Sequence, residues 1–396
     1  MDKKELSVSE FDLKTHFIDY WDEVVRQWLE NDADYSKFKD QAKEQSQIIK
    51  AINDMFGVKP EYRINTIHMP EPYWGDPTDC SIVLLDYNPA GGPRVNRHTT
   101  ISCKSCTGCE SLSDKDKDVI PSMTFIKYVD EKIKEGEQGY SSIALTGPVF
   151  KAKKGLDWFW DEDNGYEGYG WWQQKCGWLD HLVEVICGKE GNEEKLPFAM
   201  ELCGWHSQKW NNDMSWIDNG QCRTIINNRS ILPLFAAMRE SSCKMAVCIG
   251  AEFRIDWLEQ FFKNKIKDVT KALSDKIMEN VELKKSHDIV DKDGKVIFAD
   301  LTYTVKYDGK ENIHVDAKWN VIKKKGKGPA DLVNRNYRVF KITEGNESYY
   351  LLNTNYRGSN GHPAEHFWKF EELLINEIKN LDKPCKTGVN ILKGRS

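Results

Sequence analysis

The residues best suited to chemistry lie in a tight turn that follows an apolar strand. Residues 82–85 are continuously apolar, and the sequence Asp-Tyr-Asn-Pro-Ala-Gly-Gly follows them at 86–92. Proline fixes the backbone, and alanine and glycine add almost no side chain, so the main chain of such a turn can approach a ligand closely. The turn is therefore the first candidate for a ligand site.

Three further apolar runs also end in polar or glycine-bearing segments. Residues 198–202 contain Glu201, residues 245–250 end in glycine, and residues 349–353 lead into a loop rich in asparagine and glycine. Helical patterns separate the runs, at 178–186, 225–238 and 255–277. Continuous apolar strands that alternate with helices indicate a parallel sheet covered on both faces, whose working residues lie at the carboxyl ends of the strands.

In their order along the chain, these strand ends resemble the motifs of the uracil-DNA glycosylase superfamily, and they are most similar to its mismatch-specific and single-strand-selective branches. The first turn is similar to the family's Gly-x-Asn-Pro-Gly, although Asp86 replaces the first glycine and an alanine replaces the last. The resemblance implies that Asn88 positions the water that attacks the anomeric carbon of the sugar. It also implies that Asp86, Tyr87 and Pro89 contact the substrate.

Glu201 takes the place of an asparagine that reads the flipped pyrimidine in that family, in a strand end written Asn-Leu-Cys-Pro. An amide both donates and accepts hydrogen bonds, whereas an ionised carboxylate only accepts them. A carboxylate pairs well with the exocyclic amino group of cytosine and poorly with O4 of uracil. We therefore expect a cytosine derivative as the preferred base; the alternative is that Glu201 is a structural carboxylate at the strand end.

The other two strand ends have different implied roles. Residues 247–253 are similar to a strand-Gly-x-Ala turn whose role is architectural. At the fourth strand end the family carries a His-Pro-Ser or Asn-Pro-Ser loop that stabilises the leaving base, and Asn353, Asn355 and His362 all compete for that role here. The implied reaction is hydrolysis of the N-glycosidic bond of a flipped nucleotide, driven by water positioning and electrostatic stabilisation, with no metal required.

Tryptophans near these motifs indicate a bulky substrate. Trp158 and Trp160 lie among acidic residues in an aromatic insertion at 155–178, and Trp205 follows the second motif. Aromatic faces with nearby carboxylates suit sugar rings, although each ring could instead pack the insertion onto the sheet. Some phage-defence members of the superfamily excise glucosylated hydroxymethylcytosine from viral DNA. Together with Glu201, this makes glucosylated hydroxymethylcytosine in phage DNA the sharpest substrate hypothesis.

A run of three cysteines follows the first turn. Cys103, Cys106 and Cys109 have Cys-x2-Cys-x2-Cys spacing, which can hold zinc or an iron–sulfur cluster with His98 or Cys80 as a fourth ligand. Zinc sites usually show two separated cysteine pairs, so a run that binds no metal is the alternative.

Six basic side chains are candidates for holding the flanking phosphates of DNA. Three follow the first turn directly, one lies in the fourth loop, and two belong to the lysine run at 323–327, the densest basic stretch of the chain. In order they are Arg94, Arg97, His98, Arg357, Lys324 and Lys325. Lysine runs of this kind are often only solvated loops.

The composition and charge of the chain limit the classes of protein to which it can belong. The chain has 396 residues, of which 40% are hydrophobic and 30% charged, and this excludes a disordered chain. A net charge of −6 argues against a histone-like polycation but allows a local basic face. The sequence contains no membrane-length apolar run, no signal-peptide pattern and no regular cysteine framework, so we expect a cytoplasmic protein.

The predicted architecture is an α/β three-layer sandwich with a central, mostly parallel, four-stranded sheet. We expect a helical extension at 1–60 and a glycosylase-like domain at 61–390, with insertions at about 150–180 and about 290–330. The second insertion is a small antiparallel β element with Asp-Gly turns. The alternatives to a monofunctional DNA glycosylase are a non-catalytic relative that binds modified DNA or a protein, and a hydrolase acting on RNA or nucleotides.

Overall fold

The computed structural model describes residues 6–56, 59, 62–66, 69–86, 139–145, 178–179, 181–186, 196–207, 215–218, 220–241, 243–249, 261–279, 281–290, 292–293, 296–307, 311–320, 325–326, 337–354 and 365–381. The statements below concern these residues. Among them, each helix is either too short or too polar to span a membrane.

The amino-terminal helices form around one apolar stripe. A π-helical turn, Lys14–Ile18, runs into α1 (Asp19–Glu30), and two 3-10 turns lead to α2 (Lys43–Met55). Apolar residues recur every three or four positions along this part of the chain and are buried: Phe17, Tyr20, Trp21, Val24, Val25 and Trp28. The rings of Phe17 and Phe198 lie 6.3 Å apart, so this stripe packs directly on the sheet.

The main sheet has seven strands in the order β2-β4-β3-β6-β13-β12-β7. They are β2 (Tyr73–Trp74), β3 (Cys80–Asp86), β4 (Leu196–Glu201), β6 (Met245–Ile249), β7 (Ile266–Asp268), β12 (Tyr337–Glu344) and β13 (Glu347–Thr354). Two short strands, β1 (Ile64–Asn65) and β5 (His206–Ser207), pair separately. The protein therefore belongs to the α/β class.

The four predicted strands correspond to β3, β4, β6 and β13, and they form one adjacent, parallel block. The prediction of a four-stranded sheet is wrong, because β2 joins one edge of the block antiparallel, and β12 and β7 join the other. The reason lies in the pattern: β12 carries the exposed Arg338 and the half-buried Lys341 among its buried side chains, so it lacks the continuous apolar run that marks a buried parallel strand.

The order of the parallel block creates a topological switch point. From β3 the chain moves to β4 on one side, and from β4 it crosses to β6 on the other side of β3. In open α/β sheets, ligands bind in the crevice at the carboxyl ends of the two strands where the direction of winding reverses. The crevice defined by this rule lies between the carboxyl ends of β3 and β6.

Helices cover both faces of the sheet. A long helix consists of α4 (Gly220–Ile226), a π-helical turn (Asn227–Ile231) and α5 (Leu232–Glu240), and its Phe235 ring lies 4.8 Å from that of Tyr349. On the opposite face lies α7 (Glu365–Leu381), whose Glu371 accepts hydrogen bonds from Tyr337 (3.3 Å) and Trp178 (2.6 Å). Residues of α6 (Thr270–Glu279) approach α7, and the short α3 (Ser141–Ala144) lies beside α1.

A second sheet interrupts the α/β pattern. It consists of β8 (Val281–Val290), β9 (Val296–Tyr307), β10 (Glu311–Asn320) and β11 (Lys325–Gly326), paired antiparallel in the order β11-β10-β9-β8. The sequence predicted such an insertion. Its strands are longer than expected, and it begins at Val281 rather than at about residue 290.

Candidate functional site

Asp86 and Glu201, two of the predicted site residues, lie side by side. Each ends its strand, and the two are register partners in the parallel pairing of β3 with β4. Neighbouring strands lie about 5 Å apart, and register partners point to the same face of a sheet. The amide of Leu202 donates to the carbonyl of Asp86 at 2.8 Å, which fixes the two strand ends to each other. Two carboxylates therefore lie next to each other at the carboxyl edge of the sheet.

The segment that follows Glu201 is held on two sides. The amide of Glu201 donates to the carbonyl of Pro72 (2.9 Å), and the amide of Glu71 donates to the carbonyl of Gly204 (2.8 Å). A Cβ added to Gly204 would lie only 3.0 Å from the Cα of Pro72, so this close approach requires glycine. From the other side, the hydroxyl of Ser230 donates to the carbonyl of Leu202 at 3.0 Å. These contacts preorganise the end of β4.

The environment of Glu201 excludes a nucleophilic cysteine beside it. Burial raises the pKa of the Cys203 thiol to about 12, and the charge of Glu201 adds to that shift. Burial and nearby carboxylates, Glu201 among them, also raise the pKa of Tyr140 well above its usual value. Cys203 is thus a neutral thiol at physiological pH, and the thiolate needed for covalent catalysis does not form. The strand ends instead offer hydrogen-bond acceptors and negative charge.

Asn353 is a buried amide at the carboxyl end of β13. It is 2% exposed, and its Oδ1 atom is buried without a hydrogen-bond partner among the described residues. Leaving a buried acceptor unpaired costs about 1–3 kcal/mol, so such a group in a native protein requires an explanation. A ligand or an ordered water that donates to Oδ1 would supply one.

The sheet separates Asn353 from the two carboxylates. Asn353 pairs with Cys248, Cys248 with Leu85, and Leu85 with Met200, so all four point to one face. Glu201 is the next residue after Met200 and points to the other face. Asn353 also lies two strand spacings from β3, about 10 Å. The fold therefore brings Asp86 and Glu201 together and does not bring Asn353 to their side.

The prediction that Trp205 contacts the substrate is wrong. Its ring is fully buried, its Nε1 donates to the side-chain oxygen of Gln45 at 2.9 Å, and it lies 6.1 Å from the ring of Phe38. A ring with no exposed surface cannot act as a platform for a sugar. Trp205 instead packs the amino-terminal helices against the end of β4.

A buried polar network continues from Trp205, and the sequence analysis missed it. The amide nitrogen of Gln45 donates to the hydroxyl of Tyr20 (2.8 Å), and the guanidinium of Arg229 lies 3.8 Å from the centre of the Tyr20 ring. Arg229 in turn donates from Nε to Glu44 at 2.9 Å, and both of these side chains are buried. The available signal was a lone arginine within the apolar helical pattern at 225–238. Arg229 lies in a π-helical turn, a feature that is frequent at functional sites.

Most of the remaining predicted residues lie outside the described part of the chain. They are Tyr87, Asn88, Pro89, Arg94, Arg97, His98, Cys103, Cys106, Cys109, Trp158, Trp160, Lys324, Asn355, Arg357 and His362. Lys325 begins β11, where its backbone pairs with Asn320. Cys80 is buried at the amino end of β3, the end away from Asp86, and burial raises its pKa to about 12. Within the described ranges, no group of three or more His, Cys, Asp or Glu side chains is arranged to hold a metal ion.

Comparison with known proteins found no relative of this chain. The chain matches no family model, no curated protein and no solved structure. The function must therefore be argued from the residues and their geometry.

Proposed function

We propose that this protein is a monofunctional DNA glycosylase that hydrolyses the N-glycosidic bond of a flipped, modified cytosine and leaves an abasic site. The observation that carries the proposal is the register pairing of Asp86 with Glu201. The strand that ends at Asp86, β3, also borders the switch point between β3 and β6. Asn88 follows Asp86 by two residues, and two residues of chain reach at most about 7 Å. The three polar groups of the proposed site thus originate from neighbouring strand ends.

Glu201 is the group that recognises the base in this proposal. Its backbone is fixed by Pro72 and, through Leu202, by Ser230, so the point from which its side chain extends has a defined position. As an acceptor it suits the exocyclic amino group of a cytosine derivative. The proposed substrate is glucosylated hydroxymethylcytosine in phage DNA, with Trp158 and Trp160 against the sugar, in a cytoplasmic antiviral defence.

Asp86 and Asn88 act on the sugar. Asn88 holds the attacking water, and the negative charge of Asp86 stabilises the positive charge that develops on an oxocarbenium-like sugar. Hydrolysis of this kind needs no metal, and zinc or an iron–sulfur cluster at Cys103, Cys106 and Cys109 would be structural. Asn355 and His362 are the candidates for stabilising the leaving base, because Asn353 lies on the opposite face of the sheet from the two carboxylates.

The test is mass spectrometry of the bases and sugars released from DNAs that carry cytosine, hydroxymethylcytosine, glucosylated hydroxymethylcytosine or uracil. We expect release from the glucosylated DNA, and loss of abasic sites with retention of DNA binding in Asn88→Ala. Asn346→Ala, in an exposed turn at the other end of the sheet, is the matched control and retains full release. Failure to release a base from any of these DNAs would overturn the proposal.

A second candidate is a non-catalytic protein that binds modified DNA. The placement of Asn353 on the opposite face from Glu201 favours it, because a leaving-base group is then missing beside the carboxylates unless Asn355 or His362 supplies it. For such a protein, Asn88→Ala changes neither abasic-site formation nor DNA binding.

A further inference from the structure

The long helix made of α4, the π-helical turn and α5 contains three serine or threonine residues, counting Ser241 at its end. Thr224 and Ser241 each donate to a backbone carbonyl four residues earlier, which is the usual local bond of a hydroxyl in a helix. Ser230 lies in the π-helical turn and is buried, and its hydroxyl donates to the carbonyl of Leu202 instead. Ser230 therefore joins the helix to the end of β4.

Leu202 connects three elements through its backbone. Its amide donates to the carbonyl of Asp86, at the end of β3, at 2.8 Å. Its carbonyl accepts from the hydroxyl of Ser230 at 3.0 Å. Leu202 also follows Glu201 directly, so a movement of its peptide unit carries the backbone of Glu201 with it. The position of Glu201 relative to Asp86 thus depends on both hydrogen bonds of Leu202.

The π-helical turn that holds Ser230 is fixed by the amino-terminal layer. The side-chain oxygen of Asn228 accepts from the amide of Leu6 at 3.0 Å, and the guanidinium of Arg229 donates to the carbonyl of His16. Asn228 and Arg229 are buried, as Ser230 is. Three consecutive polar side chains of one turn therefore bond to separate parts of the chain. The amino-terminal layer in this way determines where the hydroxyl of Ser230 lies.

We propose that Ser230 is a positioning residue: it fixes the point from which the Glu201 side chain extends and thereby the base preference of the site. Ser230 contacts neither the base nor the sugar, and it acts through the carbonyl of Leu202. Without the hydroxyl this carbonyl loses the donor that the structure gives it, and an unpaired buried acceptor is unfavourable, so the strand end shifts toward another donor. Hydrogen bonds weaken steeply as their geometry degrades, so Glu201 then meets the base less well. The effect on base preference rests on the proposed function.

The alternative is that Ser230 only satisfies a buried carbonyl, as most buried hydroxyls do for some backbone group. In that case its loss lowers the stability of the whole fold and exposes every buried thiol to the same extent. A positioning role instead predicts that the end of β4 opens locally while the centre of the sheet stays closed. The two readings therefore differ in where the protein opens.

The experiment compares Ser230→Ala with Ser241→Ala in the full chain. Ser241 is the matched control because it is also buried and also donates to a backbone carbonyl, but it lies near the start of β6, where its hydroxyl accepts from the amide of Cys243 at 3.3 Å. The first readout is the rate at which an alkylating reagent labels each buried thiol of the folded protein, measured by mass spectrometry of peptides. Cys203 reports on the end of β4, and Cys248, inside β6, is the reference.

We expect Ser230→Ala to raise the labelling rate of Cys203 relative to that of Cys248 by about threefold to tenfold, the effect of one lost hydrogen bond. Ser241→Ala should raise the labelling rate of Cys243 and leave that of Cys203 unchanged. An equal rise at Cys203 and Cys248 in Ser230→Ala would show only a loss of global stability and would overturn the proposal.

The second readout is the release of glucosylated hydroxymethylcytosine relative to uracil from one duplex, at a temperature where both variants remain folded. We expect this ratio to fall by about threefold to tenfold in Ser230→Ala and to stay unchanged in Ser241→Ala. An unchanged ratio in Ser230→Ala, with release intact, overturns the proposal even where Cys203 is labelled faster. If the unchanged protein releases no base, the proposed function fails, and the labelling ratio alone decides whether Ser230 positions Glu201.

Discussion

The side chains of Asp86 and Glu201 lie on the same face of the sheet, at the ends of adjacent parallel strands. Two carboxylates in this arrangement form a surface that accepts hydrogen bonds and attracts positive charge. A base that offers an amino group and a sugar that becomes positively charged both fit such a surface. The division of roles between the two carboxylates can be tested one residue at a time.

Glu201→Gln should change base preference rather than abolish activity. An amide can donate to O4 of uracil, so we expect release of uracil to rise relative to the cytosine derivative by about tenfold to a hundredfold, since one such contact contributes about 1–3 kcal/mol of discrimination. Asp86→Asn is the companion variant. It removes the same charge at the partner position and should slow release of every base without changing the preference. Competition between the two bases in one duplex provides the measurement, and an unchanged ratio in Glu201→Gln would remove Glu201 from base recognition.

Asn353→Leu separates a functional amide from a structural one. Replacing a buried acceptor that lacks a partner by an apolar side chain of similar size is nearly neutral or stabilising. We therefore expect urea unfolding to show a change within about 1 kcal/mol, while base release falls if Oδ1 of Asn353 accepts from the substrate or from an ordered water. A large loss of stability with full activity would show instead that Asn353 is a structural residue.

The sequence predicted the central strands because parallel strands buried on both faces leave a simple signal. Val83, Leu84 and Leu85 belong to one continuous apolar run, and all three are buried. The edge strands were missed for the opposite reason. Tyr73 and Trp74 form a strand of only two residues, and it depends on pairing with Met200 and Ala199, more than a hundred positions away. Local patterns do not contain that partner.

Of the residues predicted for the site, the structure brings together only those whose proximity the backbone register determines. Asp86 and Glu201 are neighbours because β3 and β4 pair in parallel, and strand-end rules anticipate that arrangement. Trp205 was interpreted as a surface platform because composition does not distinguish a buried indole from an exposed one. Its actual partner, Gln45, lies on α2, and sequence alone gave no reason to connect the two.

Alkaline pH should weaken the fold through Cys203. Its folded pKa of about 12 lies above the ordinary value of 9.0, so the unfolded chain loses this proton first. The stability that the thiol contributes is complete below pH 9 and is lost as the pH rises toward 12, by about 1.4 kcal/mol per pH unit. Urea unfolding between these limits should show a shallower pH dependence for Cys203→Ala than for the unchanged protein. Parallel curves would contradict the burial of this thiol.

The buried charges of Arg229 and Glu44 should stabilise the fold only when both are present. Removing one partner leaves a buried charge without its counter-ion, so Arg229→Met and Glu44→Leu should each cost about 3–5 kcal/mol in urea unfolding. The double variant Arg229→Met/Glu44→Leu should lose less than the sum of the single variants, because no unpaired charge is then buried.

Arg26→Met is the control, since Arg26 pairs with Glu23 and Glu30 on the surface of α1 and such pairs contribute at most about 1 kcal/mol. Because Ser230 follows Arg229 and holds the carbonyl of Leu202, the single variants should also reduce base release even at temperatures where they remain folded. Additive losses in the double variant would mean that the two charges do not interact as the structure describes.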